Sequence, residues 1–182
     1  WWVLRLVCVR VRALLAAASA LGRVPVVGGG WIPDELGAHR AVVRIDRATD
    51  AALAVIPWAR RDAHPDSVAV IVIEAATGER VTNVARLSST MSTGWIAFEA
   101  ERAGVYYIYY LPYEGTPQSY YPQVSYVRAE DTASPEWRAR TGLVDGRTDS
   151  AQPYWPNTIE AIQVVNAFHN TGDMSRPATP AD

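Results

Sequence analysis

From Gly37 onward the chain falls into apolar runs of four to eight residues, rich in Val, Ile, Tyr and Trp and separated by turn-forming residues. That is the pattern of β-strands. RAVVRID (40–46) alternates Val43 and Ile45 against Val42 and Arg44. ALAVIPW (52–58) follows, and Pro57, which has no N–H for a ladder, ends that strand or puts it at a sheet edge. VAVIVIEA (68–75) is apolar on both faces at its centre, as a strand covered on both sides would be. The turn ATGER (76–80) places Gly78 where φ > 0 is needed, so 68–75 is predicted to pair as a hairpin with RVTNVARLS (80–88). WIAFEA (95–100), the tyrosine-rich run 105–111 and YYPQVSYVRA (120–129) complete a series of seven predicted strands.

No helix separates these strands, so parallel βαβ crossovers are not available and the pairing is expected to be mostly antiparallel. Seven short strands cannot bury their apolar faces in one open layer. An all-β, antiparallel two-sheet β-sandwich follows, immunoglobulin-like or jelly-roll, with a barrel as the alternative. In the run GVYYIYYLPYEG (104–115), Tyr106, Ile108 and Tyr110 share one face and Val105, Tyr107, Tyr109 and Leu111 the other. Both faces are apolar or aromatic, which makes this strand scaffold, central to its layer or overlaid by another segment. The loop Pro112–Pro122 differs, because its rings must lie at the surface. Tyr113, Tyr120 and Tyr121 there, together with Trp95, are the candidate carbohydrate-binding residues; capping the sandwich end is the other use open to the loop tyrosines.

Beyond Glu130, TASPEWRART fits one short helix, with Ser134 as N-cap, Pro135 at the first helical position, Glu136 in the first turn and Trp137 pinning it to the sandwich. TIEAIQVVNAFH (158–169) fits helix and strand periods alike. The domain therefore spans 37–169, and 170–182 reads as a disordered tail. Residues 1–36 read differently. Basic residues precede a short apolar run ending Ala18-Ser19-Ala20, a signal-peptide-like pattern that points to a secreted or periplasmic product; a misassigned start of the reading frame is the alternative. Arg5, Arg10 and Arg12 interrupt the apolar stretch, leaving nothing near the roughly 20 residues of a membrane span. Residues 22–36 read as a linker, and the single cysteine, Cys8, lies ahead of it, so a processed product would have no disulfide.

Composition narrows the chemistry. The 182 residues are 49% hydrophobic with a formal net charge of -2, one globular domain with no basic field to gather nucleic acid. All 17 basic residues are arginine, which with abundant Ala, Val and Gly reads as coding bias. There is no phosphate-binding glycine loop, no zinc spacing and no G-x-S-x-G nucleophile motif. His39, His64 and His169 are far apart, so no metal site and no cofactor is expected. The acidic pairs Asp34-Glu35 and Glu130-Asp131 read as solvated surface charge, leaving no catalytic residue to assign. WARRDAHPD (58–66) is the most distinctive polar stretch. Trp58, Arg60, Arg61 and Asp62, with His64 and Asp66, either form an ion-pair network that fixes the loop or dock a partner domain.

The ordered segments LGAHRAVVRID, VIPWARRDAHPD, VIVIEAATGERVTNV, AGVYYIYYLPYEG, YYPQVSYV and SPEWRAR resemble the N-terminal β-sandwich region of proteins related to glycoside hydrolase family 123, over roughly Leu36 to His169. The resemblance implies a sandwich that precedes a (β/α)8 catalytic barrel acting on N-acetylhexosaminides through an adjacent Asp-Glu pair. That barrel has no counterpart in this sequence, so its acids are not carried onto Asp34-Glu35 or Glu130-Asp131. Ala59 stands where the pattern leads one to expect another arginine, and the likeness ends near His169, as in a fragment. The expected function is a non-catalytic N-terminal domain of an exported glycoside hydrolase. Its partner is then the catalytic barrel of the same polypeptide, with a glycan as a further partner. A free-standing carbohydrate-binding module and a structural or adhesion sandwich are the alternatives.

Overall fold

A computed structural model describes residues 26–27, 35–116, 123–146 and 158–170. The strands, in chain order, are β1 (Val26–Val27), β2 (His39–Ile45), β3 (Thr49–Ile56), β4 (Ile71–Glu74), β5 (Arg80–Val81), β6 (Val84–Ser89), β7 (Gly94–Ala100), β8 (Gly104–Tyr109), β9 (Tyr113–Thr116), β10 (Gln123–Tyr126), β11 (Ala161–Val164) and β12 (Ala167–Asn170). One helix, α1 (Pro135–Thr141), and a single 3-10 turn, Pro65–Ser67, complete the described elements.

The strands form a six-stranded sheet in the order β1-β12-β2-β8-β4-β5, a four-stranded sheet in the order β11-β3-β7-β6, and a separate hairpin of β9 and β10. The two larger sheets pack face to face as a sandwich; no closed barrel forms among the described residues. Alternation selects the core. Ala41, Val43 and Ile45 of β2 and Tyr106 and Ile108 of β8 meet Ala52, Ala54 and Ile56 of β3 and Ile96, Phe98 and Ala100 of β7. Pairing is mostly antiparallel, with two parallel pairs, β1 with β12 and β3 with β11.

β8 sits between β2 and β4, so the tyrosine run is central to its sheet. β3 stops at Ile56, immediately before Pro57. Gly78 takes φ 75° in the turn between β4 and β5. The segment 80–88, expected as one strand paired with 68–75, is divided. β5 stays with β4, whereas β6 crosses to the other sheet and pairs with β7. The exchange occurs at Thr82–Asn83, where Asn83 O accepts from Glu99 N and Asn83 Oδ1 accepts from Ser134 N. Of the stretch 120–129, the described residues 123–129 do not join either large sheet as a long strand. Its β10 pairs instead with β9, which forms inside the stretch expected to be loop. Residues 158–169 resolve as two strands in different sheets, β11 on β3 and β12 on β2, with Val165 buried at the crossing. Within the stretch expected to be linker, Val26–Val27 add as a parallel strand to β12. Asn170, expected to begin the tail, instead closes β12 opposite His39, and the rest of the tail, 171–182, lies outside the described residues, as does the signal-like segment.

The outer face of the second sheet carries its own apolar cluster, Leu53, Ala85, Leu87 and Ala97, which α1 and Leu143 cover. Trp137, 1% exposed, is the centrepiece, and its indole Nε1 donates to Asp50 O at 2.8 Å. The helix begins where its sequence predicts: Ser134 Oγ accepts from Trp137 N at 3.1 Å, and Pro135 occupies the first turn. It ends at Gly142, left-handed at φ 67°, whose N–H donates to Arg138 O. The free edge of β6 is covered in turn: Asp145 Oδ1 accepts from Arg86 N at 2.8 Å, and Gly146 N donates to Arg86 O at 2.9 Å. Among the described residues no helix is long and apolar enough to cross a membrane.

Candidate functional site

The loop that follows β3 is built from within. Trp58 folds back against the sandwich end, 3% exposed; its Nε1 donates to Thr90 O at 2.7 Å and its ring lies 5.1 Å from that of Tyr110. Two residues on, Arg60 is 4% exposed and makes a fork-to-fork pair with Asp62, Nε to Oδ1 at 2.9 Å and Nη2 to Oδ2 at 2.6 Å. Its backbone N–H donates to Met91 O at 2.9 Å, and its guanidinium carbon lies 4.9 Å from the Trp58 ring. Arg60 Nη1 is buried and meets no acceptor among the described residues. A buried pair of this kind gains little net stability because both charges lose water, but it fixes geometry. The loop is thus held by an internal ion pair, and it presents Arg61, His64 and Asp66 to solvent.

The same end of the sandwich carries two perturbed groups. Burial pushes the Tyr110 phenol up to about 12, with the Arg60 charge opposing the shift. Burial lowers the pKa of His39, whose ring stacks 5.9 Å from that of Tyr110. Both shifts favour the neutral form, as burial of these two stacked rings requires.

A second constellation, absent from the sequence-based candidates, occupies the outer face of the first sheet. Register places Arg40 of β2 between Tyr109 of β8 and His169 of β12. Arg40, 8% exposed, donates through Nη1 to Tyr109 Oη at 3.0 Å and through Nε to His169 Nδ1 at 3.0 Å. Burial first, and the Arg40 charge second, lower the pKa of His169. The alternation of β8 places Tyr107 and Tyr109 on one face, but that they flank an arginine depends on the register of three strands distant in sequence.

The aromatic candidates separate. Trp95 lies on β7, half-buried against the cluster that α1 covers, on the second sheet. Tyr113 lies on β9, where it stands opposite Tyr126 in the hairpin. Tyr120 and Tyr121 lie outside the described residues, as does Asp34. Of the acidic pairs, Glu35 and Glu130 are exposed. Asp131 accepts from Arg138 and from Ala133 N, and the Arg138 hydrogen bond is the main reason its carboxyl pKa is lowered. Asp131 therefore braces the foot of α1. Among the described residues no three His, Cys, Asp or Glu side chains are grouped to hold a metal ion.

Comparison with known proteins bears on this arrangement. A family model described as glycoside hydrolase 123, N-terminal domain, matches residues 29–163, a span that includes strands of both sheets, the Trp58–Asp62 loop and α1. No curated protein and no solved structure matches the chain. The chain belongs to the glycoside hydrolase 123 N-terminal domain family.

Proposed function

We propose that this chain is the non-catalytic N-terminal sandwich of an exported glycoside hydrolase of the N-acetylhexosaminide type, packed against a catalytic barrel of the same polypeptide and shaping one side of its cleft. The family match over residues 29–163 carries the reading. The loop after β3 supports it: a surface that meets another domain binds at lower cost when preorganised, and the Arg60–Asp62 pair and buried Trp58 hold this loop in one geometry. Arg61 and His64 are among its exposed side chains and are offered for contact, while Trp58, Arg60 and Asp62 hold it in place. The basic-then-apolar pattern ending at Ala18-Ser19-Ala20 supports export.

The test is hydrolysis by the purified chain. Incubation with the nitrophenyl β-glycosides of N-acetylglucosamine and N-acetylgalactosamine is expected to release no nitrophenol. Turnover by the chain alone would overturn the non-catalytic assignment. Docking is checked separately by capture of a separately produced catalytic barrel, which Arg61→Glu should weaken without changing the chain's circular dichroism.

A further inference from the structure

Alongside β6 lies a cleft of about 470 Å³, within the roughly 300–1,000 Å³ range of small-molecule sites. Its walls are the Pro65–Ser67 turn, Arg86 and Ser89 of β6, and the segments at Arg128 and Asp145. They are locked together by internal hydrogen bonds. Arg86 donates to both carboxylate oxygens of Asp145, from its backbone N at 2.8 Å and from Nη2 at 2.6 Å, and from Nη1 to Asp66 O at 2.8 Å. Ser67 Oγ donates to His64 O at 2.8 Å and Ser89 Oγ to Pro65 O at 2.9 Å, so each hydroxyl spends its hydrogen on the protein and keeps acceptor capacity.

Two charged groups on these walls are uncommitted. The Asp66 carboxylate and the Arg128 guanidinium make no ion pair or side-chain hydrogen bond with any described residue. Among the described residues the formal charges of the lining cancel, Asp66 and Asp145 against Arg86 and Arg128. A phosphate or polyanion would find no net positive field, and a polycation no net negative one. No aromatic ring and no aliphatic side chain larger than Ala129 lines the cleft among the described residues, so an apolar ligand would gain little from it. A neutral ligand dense in hydroxyl groups matches this balance of strong donors and strong acceptors. We propose that the cleft beside β6 is a binding site for a neutral saccharide of one or two sugar rings. Asp66 accepts from neighbouring hydroxyls, and Arg128 donates to hydroxyl and ring oxygens. This site uses none of the aromatic candidates, and it extends the role of the domain from packing on a barrel to holding glycan itself.

Calorimetric titration of the intact chain tests it, with cellobiose and N,N′-diacetylchitobiose as neutral probes and digalacturonate as the charged one. Saturable binding of at least one neutral disaccharide is expected, weakened about tenfold or more by Asp66→Ala and by Arg128→Ala, since each removes hydrogen bonds to a charged group. Both side chains are exposed, so both variants should keep the wild-type circular dichroism. Three results would each overturn the proposal: no saturable binding of either neutral disaccharide, binding indifferent to both substitutions, or tighter binding of digalacturonate. Because the readout is binding, none of these bears on hydrolysis or on docking to a barrel.

Discussion

Arg40 places its guanidinium carbon 3.8 Å from the centroid of the Tyr107 ring, on the outer face of the first sheet. With its hydrogen bonds to Tyr109 and His169, this contact ties β2 to β8 and to β12 through one side chain. A largely desolvated cation over a ring contributes on the order of 1–2 kcal/mol, and hydrogen bonds from a charged donor about 1.5–3 kcal/mol. Arg40→Ala is therefore expected to cost about 3 kcal/mol in urea unfolding. Arg40→Lys should recover only part of that, because an ammonium cannot reach Tyr109 and His169 in a fixed fork while it covers Tyr107. Equal stability of the Lys variant and wild type would show that the charge alone matters.

His169 accepts from Arg40 through Nδ1, which requires the neutral ring, and burial acts in the same direction at His39. Both folded-state pKa values are lowered, so the unfolded chain binds protons first as pH falls. The contribution of these histidines to stability is full above about 6.5 and is lost as pH falls from there through the folded-state values. The urea midpoint should drop between neutral and mildly acidic pH. His169→Gln should flatten that slope, since an amide oxygen can accept from Arg40 at every pH. The Asp131 effect falls in a separate, more acidic window: its lowered pKa gives stability that is present above the ordinary carboxylate value and lost below it. A midpoint unchanged from pH 7.5 to 5 would contradict the histidine assignment.

What could be read from the sequence was what short-range chemistry decides. Pro57 ended β3, Gly78 took positive φ, and Ser134 capped α1 over a buried Trp137, each for a reason contained within a few residues. What could not be read was partner choice. Val81 and Val84 belong to one apolar run, yet they lie in different sheets, because the exchange at Thr82–Asn83 is set by hydrogen bonds to Glu99 and Ser134. Periodicity reports which residues turn inward, not which strand lies alongside. The same limit hid the Arg40 cluster and the cleft at Arg86 and Asp145, whose members come together only through register. Trp58, Arg60 and Asp62 stood out in the sequence, and burial of Trp58 and Arg60 adds that they act on the loop from inside.

Gly94 is held to glycine by the ring of Trp58. A Cβ at position 94 would come within 2.2 Å of Trp58 Cη2 and 2.5 Å of Cζ2, closer than any real contact. The Trp58 ring is itself wedged against Tyr110 and held at Nε1 by Thr90, so it cannot yield cheaply. Gly94→Ala should cost about 2–3 kcal/mol, in the usual range for overpacking. Trp58→Phe removes the far ring atoms that the new methyl would strike. The double variant should be more stable than the sum of the single effects predicts, a coupling expected of touching residues. Strict additivity in urea unfolding would mean that the strain lies elsewhere.

The helix α1 is short and gains its stability from what it covers. Seven residues are too few for an isolated helix to persist in water, so Trp137 and the Ser134 cap carry it. Trp137→Ala would uncover Leu53, Ala85, Ala97 and Leu143 and leave Asp50 O without its indole donor, a loss of about 3–5 kcal/mol. Ser134→Ala removes only the acceptor for Trp137 N and should cost about 1 kcal/mol. The two effects differ in place as well as size. In hydrogen exchange, the cap variant should speed exchange at the first turn of α1 alone. The Trp137 variant should also speed it along β3 and β7, whose shared outer face loses its cover. If Trp137→Ala left exchange in β3 and β7 as slow as in wild type, the helix would be an appendage to the second sheet and not its third layer.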